Sequence, residues 1–501
     1  MKLYNNINIF FAVLGLMVSL SFNSCTDFLE KDLSGQVVAG QFFQTEEDLK
    51  ASAVAVIAPL TTGNINKRIG AKWLVPLMGG DDLTTRKDDN KDPWRQTDQF
   101  NCQPTNQWFY PSSWDAYYKS IYAANTVLDN YQNMNISESV KLKFAGVASF
   151  FRANSYFRLV RIFGAVPMPI QAEPDYTMSR TPVADVYDQI VADAKFAEEN
   201  LPDEWPGEPG FPTKWAAKTL LADVYLTMAG WPLKQESYYA LARDKAKEVL
   251  GKYSLMENFG DFFNIVNNNN KETIFAYQFS YTVGGVNYGN VLGGGFGNPP
   301  EDSGFADYCA ELSFFRKFPE GPRKDATYYT KTSNGTPYTE WSGTFFHPTF
   351  AKFRSGYLTN GDGAHRNVSD RCIAIYRYPH ILTIYAEAQV MADGSPNTEA
   401  YDCINQIRRR AGLSNLIPGL SQIAFRDSVV QEKAWEFAGE FCRWFDLVRL
   451  EKVAEANADK DPAELQPERD INSLPKEYYY WLPLPKADLD LNPNLIQNEG
   501  Y

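Results

Sequence analysis

Apolar residues recur at three- and four-residue spacing over most of this chain, and the places where that rhythm breaks divide it into parts. The first break is at the start. Ile9 to Phe22 is apolar except for Gly15, Ser19 and Ser21, and a single basic residue, Lys2, precedes it. A spanning helix needs ~20 predominantly apolar residues. A shorter run behind a basic residue predicts a secretory signal peptide instead. Thr26 to Asp32 comes next as a polar tether carrying Phe28 and Leu29.

From Thr45 the helical period takes over. Thr45 is positioned to cap a helix that runs to Ala58, with Glu46, Glu47 and Asp48 in its first turn, where carboxylates complement the helix dipole. Thr61 to Pro111 is rich in loop residues. Ser113 to Tyr131 then places Trp114, Tyr118, Ile121, Asn125 and Leu128 on one stripe. Another helix runs from Ser137 to Phe163, stopped by Gly164 and Pro167. Thr181 is expected to cap the next, with Pro182 as its first helical residue and Pro202 as its end. Thr213 opens another, and Glu236 to Leu250 one more. The period is lost over residues 261–369. Phe275, Tyr277 and Phe279 alternate there as in a strand. Around them lie Gly- and Asn-rich stretches. An irregular segment this long is uncommon and tends to be functional. Helices return at Pro379 to Ala392, at Pro396 to Ala411, and from Ser421 to Leu450 with a break near Gly439. Asn472 to Tyr501 reads as extended and rich in Pro.

This pattern predicts a mostly α protein of stacked antiparallel helix pairs. Residues 1–24 are the signal peptide and 25–44 a tether. Residues 45–501 form a single domain, with helical repeats at about 45–260 and 370–452 and the insertion at about 261–369. No repeat consensus recurs literally, so periodicity alone does not define the repeat type.

Composition narrows the function. The net charge is -13 and no basic run occurs. Nucleic-acid binding depends on Lys and Arg neutralising phosphates, so it is excluded as an expectation. The histidines, His347, His365 and His380, lack metal-ligand spacing. Beyond Cys25 the cysteines form no C-x-x-C pair and read as small buried apolar residues. There is no nucleophile elbow, no phosphate loop and no Ser–His–Asp order. Asp81 and Asp82 are adjacent, which suits hydrogen bonding or a cation better than the ~5–9.5 Å carboxylate separation of a glycosidase. No enzyme activity and no cofactor are therefore expected. Whether the Asp pair holds a structural calcium stays open.

Phe22-Asn-Ser-Cys25 ends the signal peptide with a small residue before Cys, a pattern that resembles a bacterial lipobox, with Phe22 where the tightest form has Leu. In that reading Cys25 is lipidated and the mature chain begins there. Further segments are similar, in order, to motifs of the SusD/RagB family. They are Cys25 to Glu30, Phe151 to Pro167, Phe211 to Gly230, Tyr376 to Gln389, Asn405 to Leu413, Gln431 to Arg449, Leu482 to Pro485 and Asn492 to Tyr501. The resemblance implies tetratricopeptide-like helix pairs and a lipid-anchored protein on the outer face of the outer membrane. It also implies a partner, a SusC-like TonB-dependent transporter, and a nutrient cargo delivered to it. The helix residues of these motifs read as structural. Asp446 is spaced to pair with Arg443 or Arg449, and Glu432, Glu436 and Glu440 to pair with Arg443 or with the Arg408–Arg410 turn.

The cargo reading comes from the loops. Aromatic faces pack on the apolar face of a sugar ring, and Asp, Asn and Arg bind paired hydroxyls. Aromatics make up 15 % of the chain, with 29 Tyr and 11 Trp, and several lie in loops where core packing explains them less well. The expected ligand-binding residues are Asp81, Asp82, Arg86 and Trp94 in the first loop, and Tyr288, Tyr338 and Trp341 in the insertion. Trp108 is a weaker candidate. The expected cargo is an oligo- or polysaccharide. The alternative is a peptide in the same role, which would favour backbone-pairing grooves over aromatic platforms.

Overall fold

A computed structural model of the chain describes residues 42–61, 78–280, 307–341, 346–354 and 369–501. Cys25, Tyr288 and His365 lie outside the described residues. The chain divides into two compact units, 1–44 and 45–501. In the first, the described residues are 42–44, where the rings of Phe42 and Phe43 meet edge to face at 5.0 Å. All helices and strands among the described residues belong to the second.

Helix α1 (Glu46–Thr61) begins with the predicted cap in reciprocal form. Thr45 donates its N–H to Asp48 Oδ2 at 2.8 Å, and Asp48 donates its N–H to Thr45 Oγ1 at 3.2 Å. After the short α2 (Asp92–Asp98) come α3 (Tyr110–Asn130), α4 (Glu138–Phe163), α5 (Val183–Asn200), α6 (Lys214–Met228) and α7 (Tyr238–Val249). Each long helix packs on the next in sequence, as the stacked-pair reading requires. The α5 start differs from expectation by one residue. Thr181 donates its N–H to the Val166 carbonyl at 2.8 Å in an isolated antiparallel bridge, so Pro182 occupies the cap position and Val183 opens the helix.

Helix α4 is the axis of this half. From Phe144 to Phe163 nearly every residue is buried, because α1, α3 and α5 cover it from different sides. Each fully buried Phe contributes ~1.5–3 kcal/mol by leaving water. A buried ion pair sits in this apolar setting. Arg152 forms a fork with both carboxylate oxygens of Asp193 on α5 (2.8 and 2.7 Å) and donates to Asn125 Oδ1 on α3 (2.8 Å), pinning three helices in register. Gly164 ends α4 at φ +72°. A Cβ there would lie 2.7 Å from the Trp481 ring.

The insertion leaves the stack after α7 and rejoins it at α10 (Tyr378–Asp393), which packs directly against α7. A ladder marks both ends of the excursion. Strand β2 (Thr273–Tyr277) pairs antiparallel with β6 (Ile373–Arg377). Phe275 of β2 packs edge to face on Phe150 and Phe151 of α4. Between them lie β3 (Cys309–Ala310), α8 (Leu312–Lys317), α9 (Pro322–Thr327), β4 (Tyr328–Tyr329) and β5 (Thr349–Phe350), where β4 pairs with β5. The stack closes with α11 (Thr398–Arg410), α12 (Gln422–Glu436), α13 (Arg443–Arg449) and α14 (Val453–Asn457). The predicted break falls at Gly439, φ +77°. No helix among the described residues is long and apolar enough to cross a membrane. The described cysteines are unpaired. Cys102, Cys309, Cys372 and Cys403 are buried, and Cys442 is partly so.

Behind β6 lies a buried ionic cluster that carries much of the motif chemistry. Arg377 has no solvent exposure. It donates to Glu272 at 3.0 Å, to Glu440 at 2.9 and 3.0 Å, and to Glu436. Arg410 and Arg323 also reach Glu436. Arg408 and Arg323 hold Glu432 at 2.8 and 2.6 Å, and Lys352 holds Glu440 at 2.8 Å. Burial alone would raise the Glu436 carboxyl, but Arg410, Arg377 and Arg323 outweigh it and hold it down at about 2. Glu432 and Glu436 pair with Arg408 and Arg410 of the turn as expected, whereas Glu440 pairs with Arg377 and Lys352 instead. Arg443 turns elsewhere. Asp446 takes Arg449 at 2.8 Å and Lys433 at 3.0 Å.

Candidate functional site

The first loop, residues 78–109, is rigid for reasons that can be read residue by residue. Strand β1 (Leu83–Thr84) pairs with β3 of the insertion, Leu83 opposite Ala310 and Thr84 opposite Cys309. Lys91, almost fully buried, reaches Asp307 at 2.6 Å. Asp98 at the end of α2 is buried and takes Lys460 at 2.6 Å and the Thr84 hydroxyl at 2.9 Å. The two regions expected to share the ligand site are thus joined by a ladder and an ion pair.

On this frame stands a pair of indoles. Trp94 is half-buried in α2. Trp108, at the mouth of α3, is 48 % exposed. Their ring centroids are 5.5 Å apart, tilted by 35°. The Lys91 ammonium sits 5.4 Å from the Trp94 ring centre, which adds a cation–π attraction that steadies that ring. Asn106 holds the pair together. Its amide nitrogen donates to the Pro93 carbonyl and to Gln96 Oε1, both at 2.9 Å. Its oxygen accepts the N–H groups of Trp108 at 3.1 Å and Phe109 at 3.0 Å. All four hydrogen-bonding positions of the side chain are therefore used, two toward each indole. In the same loop Asp92 and Gln103 are exposed and Asn101 is partly so. The arrangement offers a fixed aromatic surface with amide and carboxylate groups at its edge, suited to stacking and hydroxyl binding.

The other expected residues go to different places. Asp81 forms a two-pronged bridge to Arg443, 2.6 and 2.9 Å. Asp82 is 1 % exposed and accepts the Gly439 N–H at 3.0 Å. Burial pushes its carboxyl up to about 6, against the pull of that N–H and of Arg443. Arg86 pairs with Asp88. Trp341 is buried against Cys309 and Tyr329, and its indole N–H is donated to the Thr336 carbonyl at 3.2 Å. Tyr338 is half-buried and meets Phe315 and Trp341 edge to face. Trp108 is thus exposed and Trp94 partly so, while Trp341 and Tyr338 pack the insertion. The sequence ranks Trp108 below Trp94 and does not single out Asn106. The available signal was the closeness of Trp94, Asn106 and Trp108 along one loop. Among the described residues no group of three or more His, Cys, Asp or Glu is placed to hold a metal.

Comparison with known proteins extends this picture. Residues 316–501 match the family model described as the SusD family, and residues 80–226 match one described as "Starch-binding associating with outer membrane". The chain is 28 % identical over 520 residues to SusD-like protein P2 of Formosa agariphila, covering 97 % of this chain and 98 % of that protein. A solved SusD superfamily protein from Parabacteroides distasonis superposes with a TM-score of 0.77 at 25 % identity, covering 91 % of this chain and 99 % of that one. A solved laminarin-binding SusD-like protein superposes with a TM-score of 0.74 at 23 % identity, covering 92 % and 100 %.

Proposed function

The chain belongs to the SusD/RagB family, and from that premise we propose that it is a surface lipoprotein that captures an oligo- or polysaccharide and delivers it to a SusC-like TonB-dependent transporter. The family consists of binding proteins associated with the outer membrane, and the laminarin-binding neighbour supports a glycan cargo. In this reading Cys25 carries the lipid, whose acyl chains hold the protein at the bilayer at ~0.8 kcal/mol per buried methylene. The single observation that carries the cargo reading is the Trp94–Trp108 pair. Trp108 is 48 % exposed and Trp94 beside it is partly so, and Asn106 holds both segments in place. Preorganised rings lose little entropy on binding, so the contact area with a sugar face converts efficiently to affinity.

The test is calorimetric titration of the chain from Thr26 onward against plant, microbial and host glycans. A bound glycan should lose about tenfold or more in affinity with Trp94→Ala and with Trp108→Ala, while the melting temperature holds. Wild-type affinity in both variants would remove the platform from the site. Binding of a peptide pool with no glycan bound would replace the cargo. Mass spectrometry of the mature N-terminus checks acylation of Cys25.

A further inference from the structure

A second concavity, about 580 Å³, lies where helices α12 to α14 meet the insertion helix α8. It shares no residue with the Trp94–Trp108 platform. Its lining carries five carboxylates and three cations. Four of the carboxylates have a cation beside them. Asp81 has Arg443, Asp459 has Lys317 at 3.0 Å, and Asp427 and Glu455 share Lys452 at 3.4 and 3.7 Å. Glu311 is the fifth. It is 2 % exposed and, among the described residues, forms no ion pair. One of its oxygens accepts the Ser313 N–H at 3.1 Å. The other accepts no hydrogen bond among them. A buried carboxylate in that condition is expensive to keep ionised, and a wall of a cleft is where an incoming cation could satisfy it. Trp435 lines the same concavity and is partly exposed. An indole and an unmatched carboxylate in one cleft are the two elements that recognise an organic cation.

We propose that this concavity binds a ligand bearing a primary ammonium or guanidinium group, with the charge received by Glu311 and the carbon skeleton packed beside Trp435. The groups facing Glu311 explain why the protein does not supply the cation itself. Lys460 is committed to Asp98 at 2.6 Å, and Glu464 is engaged with His347 at 2.8 Å. Burial, with Glu464 and Asp98 adding to it against Lys460, pushes the Glu311 carboxyl up to about 8. The raised value favours the protonated acid in the unliganded cleft, and an arriving cation displaces its proton to solvent.

The experiment titrates the mature chain with glucosamine, N-acetylglucosamine, lysine amide and arginine amide, in two buffers of different ionisation enthalpy at pH 7. At least one cationic probe should bind with release of up to one proton, and N-acetylglucosamine should not compete with it. Glu311→Gln mimics the neutral acid and keeps the acceptor for Ser313, so it should leave the unliganded melting temperature unchanged. It should weaken binding about tenfold or more and abolish the proton release. Trp435→Ala should weaken binding as well. Binding of glucosamine alone identifies an amino sugar as the source of the charge, and binding of the amides alone identifies basic side chains of a peptide. Absence of binding by every cationic probe at millimolar concentration overturns the proposal. So does equal binding by Glu311→Gln.

Discussion

Asn106→Ala is the most informative single change. The side chain makes four hydrogen bonds, and they split evenly between the two indole-bearing segments. Removing it strands four partners with unequal consequences. The Phe109 N–H is deeply buried and has no water to turn to, which costs ~1–3 kcal/mol. Pro93, Gln96 and Trp108 are partly exposed, so their groups regain water and each loses only the net value of a hydrogen bond, ~0.5–1 kcal/mol. The sum, about 2.5–6 kcal/mol, falls on the loop and not on the helical stack, because the side chain bonds no residue of α4 or α5. Opening the loop lowers the fraction of molecules with both rings in place, and apparent affinity falls with that fraction. The assay combines glycan titration with near-UV circular dichroism, since two indoles 5.5 Å apart couple spectroscopically. Asn106→Ala should lose the coupled signal and at least about tenfold in affinity, with far-UV ellipticity intact. Asn106→Asp keeps both acceptors and should place Trp108 correctly while setting an oxygen against the Pro93 carbonyl, giving an intermediate loss. Unchanged affinity and an unchanged near-UV spectrum in Asn106→Ala would refute the idea that this residue organises the platform.

The structure sets four other outcomes. Arg377→Met should cost roughly 3–5 kcal/mol or more in urea unfolding, because it leaves Glu272, Glu436 and Glu440 buried with one cation fewer. Stability should fall as pH drops from about 4.5 toward 2: the Glu436 carboxyl is lower in the folded chain than in the unfolded one, so the unfolded chain binds the extra proton in that window. Asp82 has the opposite sign. Its folded value is raised to about 6 from 3.8, so the native state loses stability as pH rises through that window, by about 3 kcal/mol at most. Asp82→Asn keeps an acceptor for Gly439 and should be neutral or stabilising at pH 8 in thermal melts, and a clear loss there would contradict the assignment. Trp341→Ala should destabilise by about 3–5 kcal/mol as a core truncation, whereas Trp108→Ala should leave the melting temperature nearly unchanged.

The helical stack was legible in the sequence because its determinants are local. Caps such as Thr45 and Thr213, the stops at Gly164 and Gly439, and the three- and four-residue stripes act within a few residues, and the folded chain keeps them. The Glu432–Glu436–Glu440 face was legible for the same reason. Its partners Arg377, Arg323 and Lys352 were not, since the insertion brings them from residues far away along the chain. The pairing of β2 with β6 had no signal, because the two strands are separated by the whole insertion. At the site, residue type alone could not separate Trp94 from Trp341. Both stand in segments that the sequence reads as loops, and only tertiary packing leaves one partly exposed and buries the other against Cys309. Asp81 and Asp82 show the same limit at a scale of one residue. Both stand in the bend before β1, yet Asp81 reaches Arg443 and Asp82 the Gly439 N–H. The sequence by itself determined the helices, their order and the family. The tertiary structure decided which aromatic and acidic side chains face solvent, because exposure depends on what the rest of the chain lays over them.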